Sequence, residues 1–138
     1  MGLVQTQMFA TLFDGIARHS PEGVWFKQQA EEKGFKEVPT QSRLSILAAC
    51  ENPHSITTFE YQGEIWPLPQ TGQMWLEYEL LNNPEWEGVY CISTSYRQEK
   101  NPIPGRHSLI FPMFEVESKG TMTDLINLQS ELLINHSM

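Results

Sequence analysis

The chain has 138 residues, of which 40% are apolar and 11% aromatic, a composition that excludes a disordered segment and suits one globular domain with its own core. Nine Lys and Arg stand against seventeen Asp and Glu, for a formal charge of −8. That balance excludes a general nucleic-acid binder, which needs a basic surface to neutralise phosphates, but not a local cationic patch that grips one nucleotide.

The first apolar positions, Leu3, Val4, Met8, Phe9, Leu12, Phe13 and Ile16, have the spacing of an amphipathic helix, so residues 1–20 are expected to form an N-terminal helical unit ahead of a domain spanning 21–138. Ser20-Pro21-Glu22 is a helix start, and Gly34 a helix stop. Phe35 to Val38 reads as a short strand closed by Pro39, and residues 40–56 show no period. Thr57 to Leu68 reads as a hairpin turning at Gln62-Gly63. Met74 to Leu81 reads as a helix ended by Asn82-Asn83-Pro84. Val89–Tyr96 and Leu109–Val116 are rich in β-formers and flank a polar loop. Thr121 to Asp124 then resembles a capping box, with aspartate for the usual Glu or Gln, before a helix whose apolar face is Leu125, Ile126, Leu128, Leu132 and Leu133. The class predicted is α+β, an antiparallel sheet flanked by helices.

Cys50 and Cys91 lie in apolar surroundings without metal-type spacing, and read as free thiols in a reducing compartment. No run approaches the ~20 apolar residues of a membrane span. Gln5, Thr6, Gln7 and Asp14 interrupt the N-terminal apolar stretch, which is unlike a signal peptide, so a cytoplasmic protein is expected.

The chemistry concentrates in the second pair of strands. Alternate residues of a strand share a face, so Arg97 and Glu99 point one way at the loop entrance, and Phe111, Met113, Glu115 and Glu117 share a face on the return. If the two faces coincide, one surface offers a guanidinium for phosphate, an aromatic ring for a purine and a carboxylate for an exocyclic amine. Arg106 and His107 sit in the loop where they would close over a polyphosphate tail. No side-chain nucleophile stands out, so catalysis here would rest on positioning and charge stabilisation. The plain alternative is a surface hairpin with scattered charges and Phe111 in the core.

The order Tyr96-Arg97-Gln98-Glu99, loop, Arg106-His107, Phe111 resembles motif 2 of the class II aminoacyl-tRNA synthetases, and the run from Gly88 to Glu117 is most similar in look to the asparaginyl branch and its asparagine synthetase relatives. Leu68 to Leu80 resembles that group's amino-acid-binding stretch, and Glu32 to Leu44 looks like motif 1, the dimer-forming helix and strand. The resemblance covers roughly residues 22–133 in three ordered blocks. It implies a partial class II catalytic fold, ATP with Mg2+, an amino acid as substrate and a homodimer. By the same resemblance, Arg97 would hold the α-phosphate and the amino-acid carboxylate, Glu99 the adenine amine, and Arg106 and His107 the γ-phosphate. Phe111 would stack on adenine and Gln73 would contact the amino acid.

The departures from the family are specific. Gln41 replaces the motif 1 proline, Ile110 stands where an acid precedes the stacking aromatic, and Leu76 stands where the aspartyl enzymes have a substrate-reading lysine. No glycine-rich, arginine-ended motif 3 follows residue 117 and no anticodon-binding barrel is present, so against the family the chain reads as truncated. Three functions follow: amino-acid activation as part of a synthetase-like protein, a non-catalytic remnant that binds nucleotide or amino acid, or a dimerisation module. The acceptor stays open between tRNA and ammonia.

Overall fold

The computed structural model describes residues 3–9, 21–41, 53–98, 101–105 and 109–137. Among these the elements run β1 (Leu3–Phe9), α1 (Pro21–Glu32), β2 (Lys36–Glu37), β3 (Thr58–Tyr61), β4 (Glu64–Pro67), α2 (Gln73–Asn82), β5 (Gly88–Tyr96), β6 (Ile110–Lys119) and α3 (Met122–Ser137), with one 3-10 turn at Pro53–Ser55. The main sheet has the strand order β1-β6-β5-β2, and β3-β4 form a separate hairpin. The class is α+β, as expected.

Two expectations are overturned. Residues 3–9 are a strand and not the start of a helix over 1–20: β1 pairs antiparallel with β6 from Leu3↔Lys119 to Phe9↔Met113. The open edge of β6 needs partners for its N–H and C=O groups, and that tertiary demand outweighs a helical spacing built on few apolar positions. Residues 10–20 lie outside the described residues. The sheet is also mixed rather than antiparallel, because β2 runs parallel to β5, with Lys36↔Val89 and Glu37↔Tyr90 in register. The end of α1 sets that direction. Gly34 N–H donates to Glu31 O at 3.0 Å and Phe35 N–H to Ala30 O at 3.0 Å, the paired bonds of a Schellman motif. The chain thus leaves α1 with Phe35 seated over Gly88, where even a Cβ would lie 2.7 Å from the ring.

Alternation along β5 and β6 divides the core between the two faces of the sheet. On one face Tyr90, Phe114 and Val116 pack with Phe26 and Ala30 of α1 and Leu128 and Leu132 of α3. Phe26 stacks on Phe114 at 5.1 Å between centroids. On the other face Val89 and Cys91 pack with Val38 and with Leu76 and Leu80 of α2. Full burial of a side chain such as Phe26 or Leu76 stabilises by about 1.5–3 kcal/mol. Trp25 packs against the first cluster, and Trp75 and Trp86 against the second.

The remaining local signals hold. The hairpin turns on Gln62 and Gly63, whose φ angles of 50° and 81° are the two positive values of a type I′ turn. Helix α2 stops at Asn83, whose backbone N–H reaches Glu79 O at 3.1 Å. Helix α3 opens on a reciprocal box: Thr121 N–H donates to Asp124 Oδ2 at 2.8 Å, and Asp124 N–H to Thr121 Oγ1 at 3.3 Å.

Candidate functional site

The register of β5 and β6 places Ser95 opposite Phe111, Ser93 opposite Met113, Cys91 opposite Glu115 and Val89 opposite Glu117. Residues directly opposite in an antiparallel pair point to the same side, so these two rows share the α2 face. Arg97 N–H donates to Leu109 O at 2.8 Å, which extends the ladder one step beyond Tyr96↔Ile110 and keeps Arg97 in phase with Ser95. The two faces anticipated from parity therefore coincide for Arg97, Phe111, Met113, Glu115 and Glu117.

The segment from Gln70 to Gly72 crosses this face. Glu115, wholly buried, receives three donors there: Ser93 Oγ at 2.6 Å, Thr71 Oγ1 at 2.7 Å and Gly72 N–H at 2.8 Å. Gly72 is the N-cap of α2 and has no side chain with which to cap it, so a carboxylate from β6 sits at the positive end of that helix instead. Gln73 begins α2 beside it, with its N–H on Thr71 Oγ1 at 3.2 Å. Glu117 is buried on the same face. Burial, and then the charge of Glu115, push the Cys91 thiol well above its ordinary value of 9.0, against a lowering by Ser93. Cys91 is a free thiol that its burial keeps protonated.

Toward the loop end of the face, Arg97 is half-buried beside Ser95. Its Nε donates to Ser95 Oγ at 3.1 Å, and its Nη2 lies 3.5 Å from Gln70 O. Among the described residues no carboxylate lies within ion-pair reach of it. A guanidinium that is oriented but not neutralised suits an anion. Phe111 on β6, half-buried and opposite Ser95, offers an aromatic surface on the same face. An open pocket of about 370 Å3 lies against Arg97, lined also by Thr57, Leu68, Tyr96, Gln98, Leu109 and Ile110.

Of the residues singled out from sequence, the structure thus brings Arg97 and Phe111 to one face and sets Gln73 at the helix end that the same face supports. Glu99, Arg106 and His107 lie outside the described residues, as does Cys50. Sequence reasoning missed Ser93, Ser95, Gln70 and Thr71, and gave Glu115 no role. A signal was present: Ser93 and Ser95 are small hydroxyls at the i−4 and i−2 positions from Arg97, on its own face of the strand. The face suits a nucleotide phosphate and base. Among the described residues no group of three or more His, Cys, Asp or Glu side chains stands together to hold a metal. No described helix is long and apolar enough to cross a membrane.

This arrangement of strands and helices is found in class II aminoacyl-tRNA synthetases, within their asparaginyl-tRNA synthetase members. The asparaginyl-tRNA synthetase of Pyrococcus horikoshii, solved with asparaginyl-adenylate, superposes with a TM-score of 0.66 at 23% identity, over 77% of this chain and 23% of that one. The Entamoeba histolytica enzyme with asparaginyl-adenylate superposes at 0.65 and 20% identity, over 80% of this chain and 23% of its own. A second structure of that enzyme gives 0.66 at 20% identity, over 80% of this chain and 24% of its own. At these identities the likeness is one of fold, and the matched region spans about a quarter of each synthetase chain. No protein-family profile matches the sequence, and no curated protein matches it.

Proposed function

We propose that this chain supplies the ATP-gripping part of an amino-acid-activating site of the class II synthetase kind. One observation carries the reading: Arg97, with no carboxylate partner among the described residues, shares a sheet face with Phe111. The fold in which they do so is one whose Pyrococcus and Entamoeba examples hold asparaginyl-adenylate.

In the reaction, a carboxylate oxygen of the amino acid attacks the α-phosphorus of ATP. The bond from that phosphorus to the bridging oxygen breaks, and pyrophosphate leaves with the electron pair. Arg97 binds the α-phosphate and the attacking carboxylate together, offsetting charge that would otherwise keep the two anions apart and stabilising the charge that builds on phosphorus. Phe111 stacks on adenine, Glu99 accepts from its amine, Arg106 and His107 meet the γ-phosphate, and Gln73 contacts the amino acid. A homodimer and a cytoplasmic setting belong to the same reading, as does Mg2+ delivered with the nucleotide, with tRNA or ammonia as acceptor.

The test is amino-acid-dependent exchange of labelled pyrophosphate into ATP, run beside ATP binding, for the wild type and Arg97→Ala. Exchange above background in the wild type, abolished in the variant, supports activation. Binding weakened at least about tenfold in the variant, without exchange in either, supports a nucleotide-binding remnant. Absence of ATP binding sinks the proposal and leaves dimerisation, which sedimentation measures directly.

A further inference from the structure

We propose that Ser95 is a positioning residue for Arg97: it fixes one edge of the guanidinium without cancelling its charge, so that the opposite edge meets an anionic ligand. The inference rests on the nucleotide reading above for the identity of that anion, but its geometry stands on the sheet alone.

A hydroxyl has one proton to donate and lone pairs to accept with. The proton of Ser95 is committed, because its Oγ lies 2.7 Å from Gln70 O, which only accepts. The lone pairs are then turned to Arg97, whose Nε–H only donates, at 3.1 Å. The direction of the relay, Arg97 to Ser95 to Gln70, is forced by chemistry. Ser95 is wholly buried, so water does not compete for its hydroxyl.

The anchor is itself held. Tyr96 N–H donates to Pro69 O at 2.8 Å, and the Gln70 amide Nε2 donates to Ser55 O at 2.8 Å and Ser55 Oγ at 3.1 Å. Ser55 O only accepts, so the amide nitrogen has to face it. The Gln70 carbonyl therefore sits in a segment fixed from both sides, and the serine hangs from a rigid point.

The Nε and Nη2 atoms form one edge of the planar guanidinium. Ser95 takes Nε, and Gln70 O lies at the limit of reach of Nη2. Protein therefore occupies that edge, and among the described residues the Nη1–Nη2 fork remains for a bidentate contact to phosphate. An aspartate at position 95 would orient Arg97 just as well, but it would neutralise the charge and compete with the ligand. Serine orients and leaves the full charge available.

The test uses 15N-labelled full chain with Ser95→Ala, Ser95→Thr and Arg97→Lys. The Arg97 Nε–H resonance, identified by its loss in Arg97→Lys, is expected to be protected from solvent exchange in the wild type, unprotected in Ser95→Ala and protected again in Ser95→Thr. Titration with AMP and with adenosine supplies the second arm. Ser95→Ala is expected to weaken AMP about tenfold and leave adenosine unchanged, since adenosine carries no phosphate. Equal weakening of both ligands, or a resonance indifferent to Ser95→Ala, overturns the proposal. If the wild type binds neither ligand, the nucleotide reading fails, while the resonance still decides whether Ser95 sets Arg97.

Discussion

The carboxylate of Glu115 accepts the backbone N–H of Gly72 at 2.8 Å, and both residues are buried. The contact joins β6 to the start of α2 and leaves no room between them: a Cβ on Gly72 would lie 3.1 Å from Glu115 Oε1 and 3.1 Å from Cys91 Sγ. Neither neighbour yields easily, since Glu115 is pinned by Ser93 and Thr71 as well. Gly72→Ala is therefore expected to lower stability by about 1–3 kcal/mol through overpacking. Glu115→Gln, which keeps one oxygen but turns an amide toward Thr71, should cost a similar ~1–3 kcal/mol by losing charge-assisted bonds. Glu115→Ala should cost more than Glu115→Gln, because it leaves three donors and a void. Urea denaturation at neutral pH measures all three, and a change below about 0.5 kcal/mol in each would show that the contact anchors nothing.

Much of this arrangement was legible in the sequence because it depends on local parity. The alternation of Arg97 with its neighbours on one strand and of Phe111 with Glu115 on the other needed only the period of two. The hairpin turn at Gln62-Gly63 and the box at Thr121 likewise declare themselves within four residues. What was hidden depends on partners remote in sequence. Residues 3–9 became a strand because the edge of β6 was there to pair with, more than a hundred residues away. The direction of β2 rests on how Phe35 meets Gly88, and a strand of two residues carries no sign of its own direction. Glu115 read as a charged strand residue. Its burial follows from Thr71 and Gly72, 44 and 43 positions earlier.

Cys91 gives a pH-dependent prediction. Burial, and then Glu115, hold its thiol well above the ordinary 9.0, so the native chain keeps this proton to higher pH than the unfolded chain does. The associated stability is fully present below pH about 9 and is lost as pH rises from there through the native value. In that window the unfolding free energy of the wild type should fall more steeply than that of Cys91→Ala, by at most ~1.4 kcal/mol per pH unit. The same burial predicts that a thiol reagent at pH 8 modifies Cys91 only after denaturant is added. Peptide mapping of the labelled protein checks this, and rapid modification of native Cys91 would contradict it.

The box at the start of α3 should behave as a unit. Asp124 Oδ2 receives both Thr121 N–H at 2.8 Å and Thr121 Oγ1 at 3.0 Å, while Thr121 Oγ1 accepts Asp124 N–H at 3.3 Å. Asp124→Ala and Thr121→Val are each expected to cost about 1 kcal/mol. Because each variant already breaks the reciprocal pair, the double variant should lose clearly less than the sum of the two. Thermal or urea denaturation of the four proteins closes the cycle, and strict additivity would argue that the two residues act separately.

Gly88 and Phe35 set up a sharper cycle, because their contact is steric. Gly88 is buried at the start of β5, and a Cβ there would meet Phe35 Cδ1 at 2.7 Å and Cε1 at 2.8 Å. The ring cannot simply swing aside, since Phe35 also packs against the core cluster under α1 and follows directly on the Schellman turn. Gly88→Ala should therefore destabilise by about 1–3 kcal/mol, the cost of overpacking. Phe35→Ala should destabilise by about 3 kcal/mol, somewhat less than a fully buried phenylalanine at the upper end of its range, because this ring is only half-buried. In the Phe35→Ala background the methyl of Gly88→Ala has space to occupy, so the second substitution should cost little or restore part of the loss. The interaction term then has the same sign as that of the Thr121–Asp124 box and is about as large as the cost of Gly88→Ala itself. Equal cost of Gly88→Ala in the two backgrounds would mean that something other than Phe35 excludes a side chain at position 88.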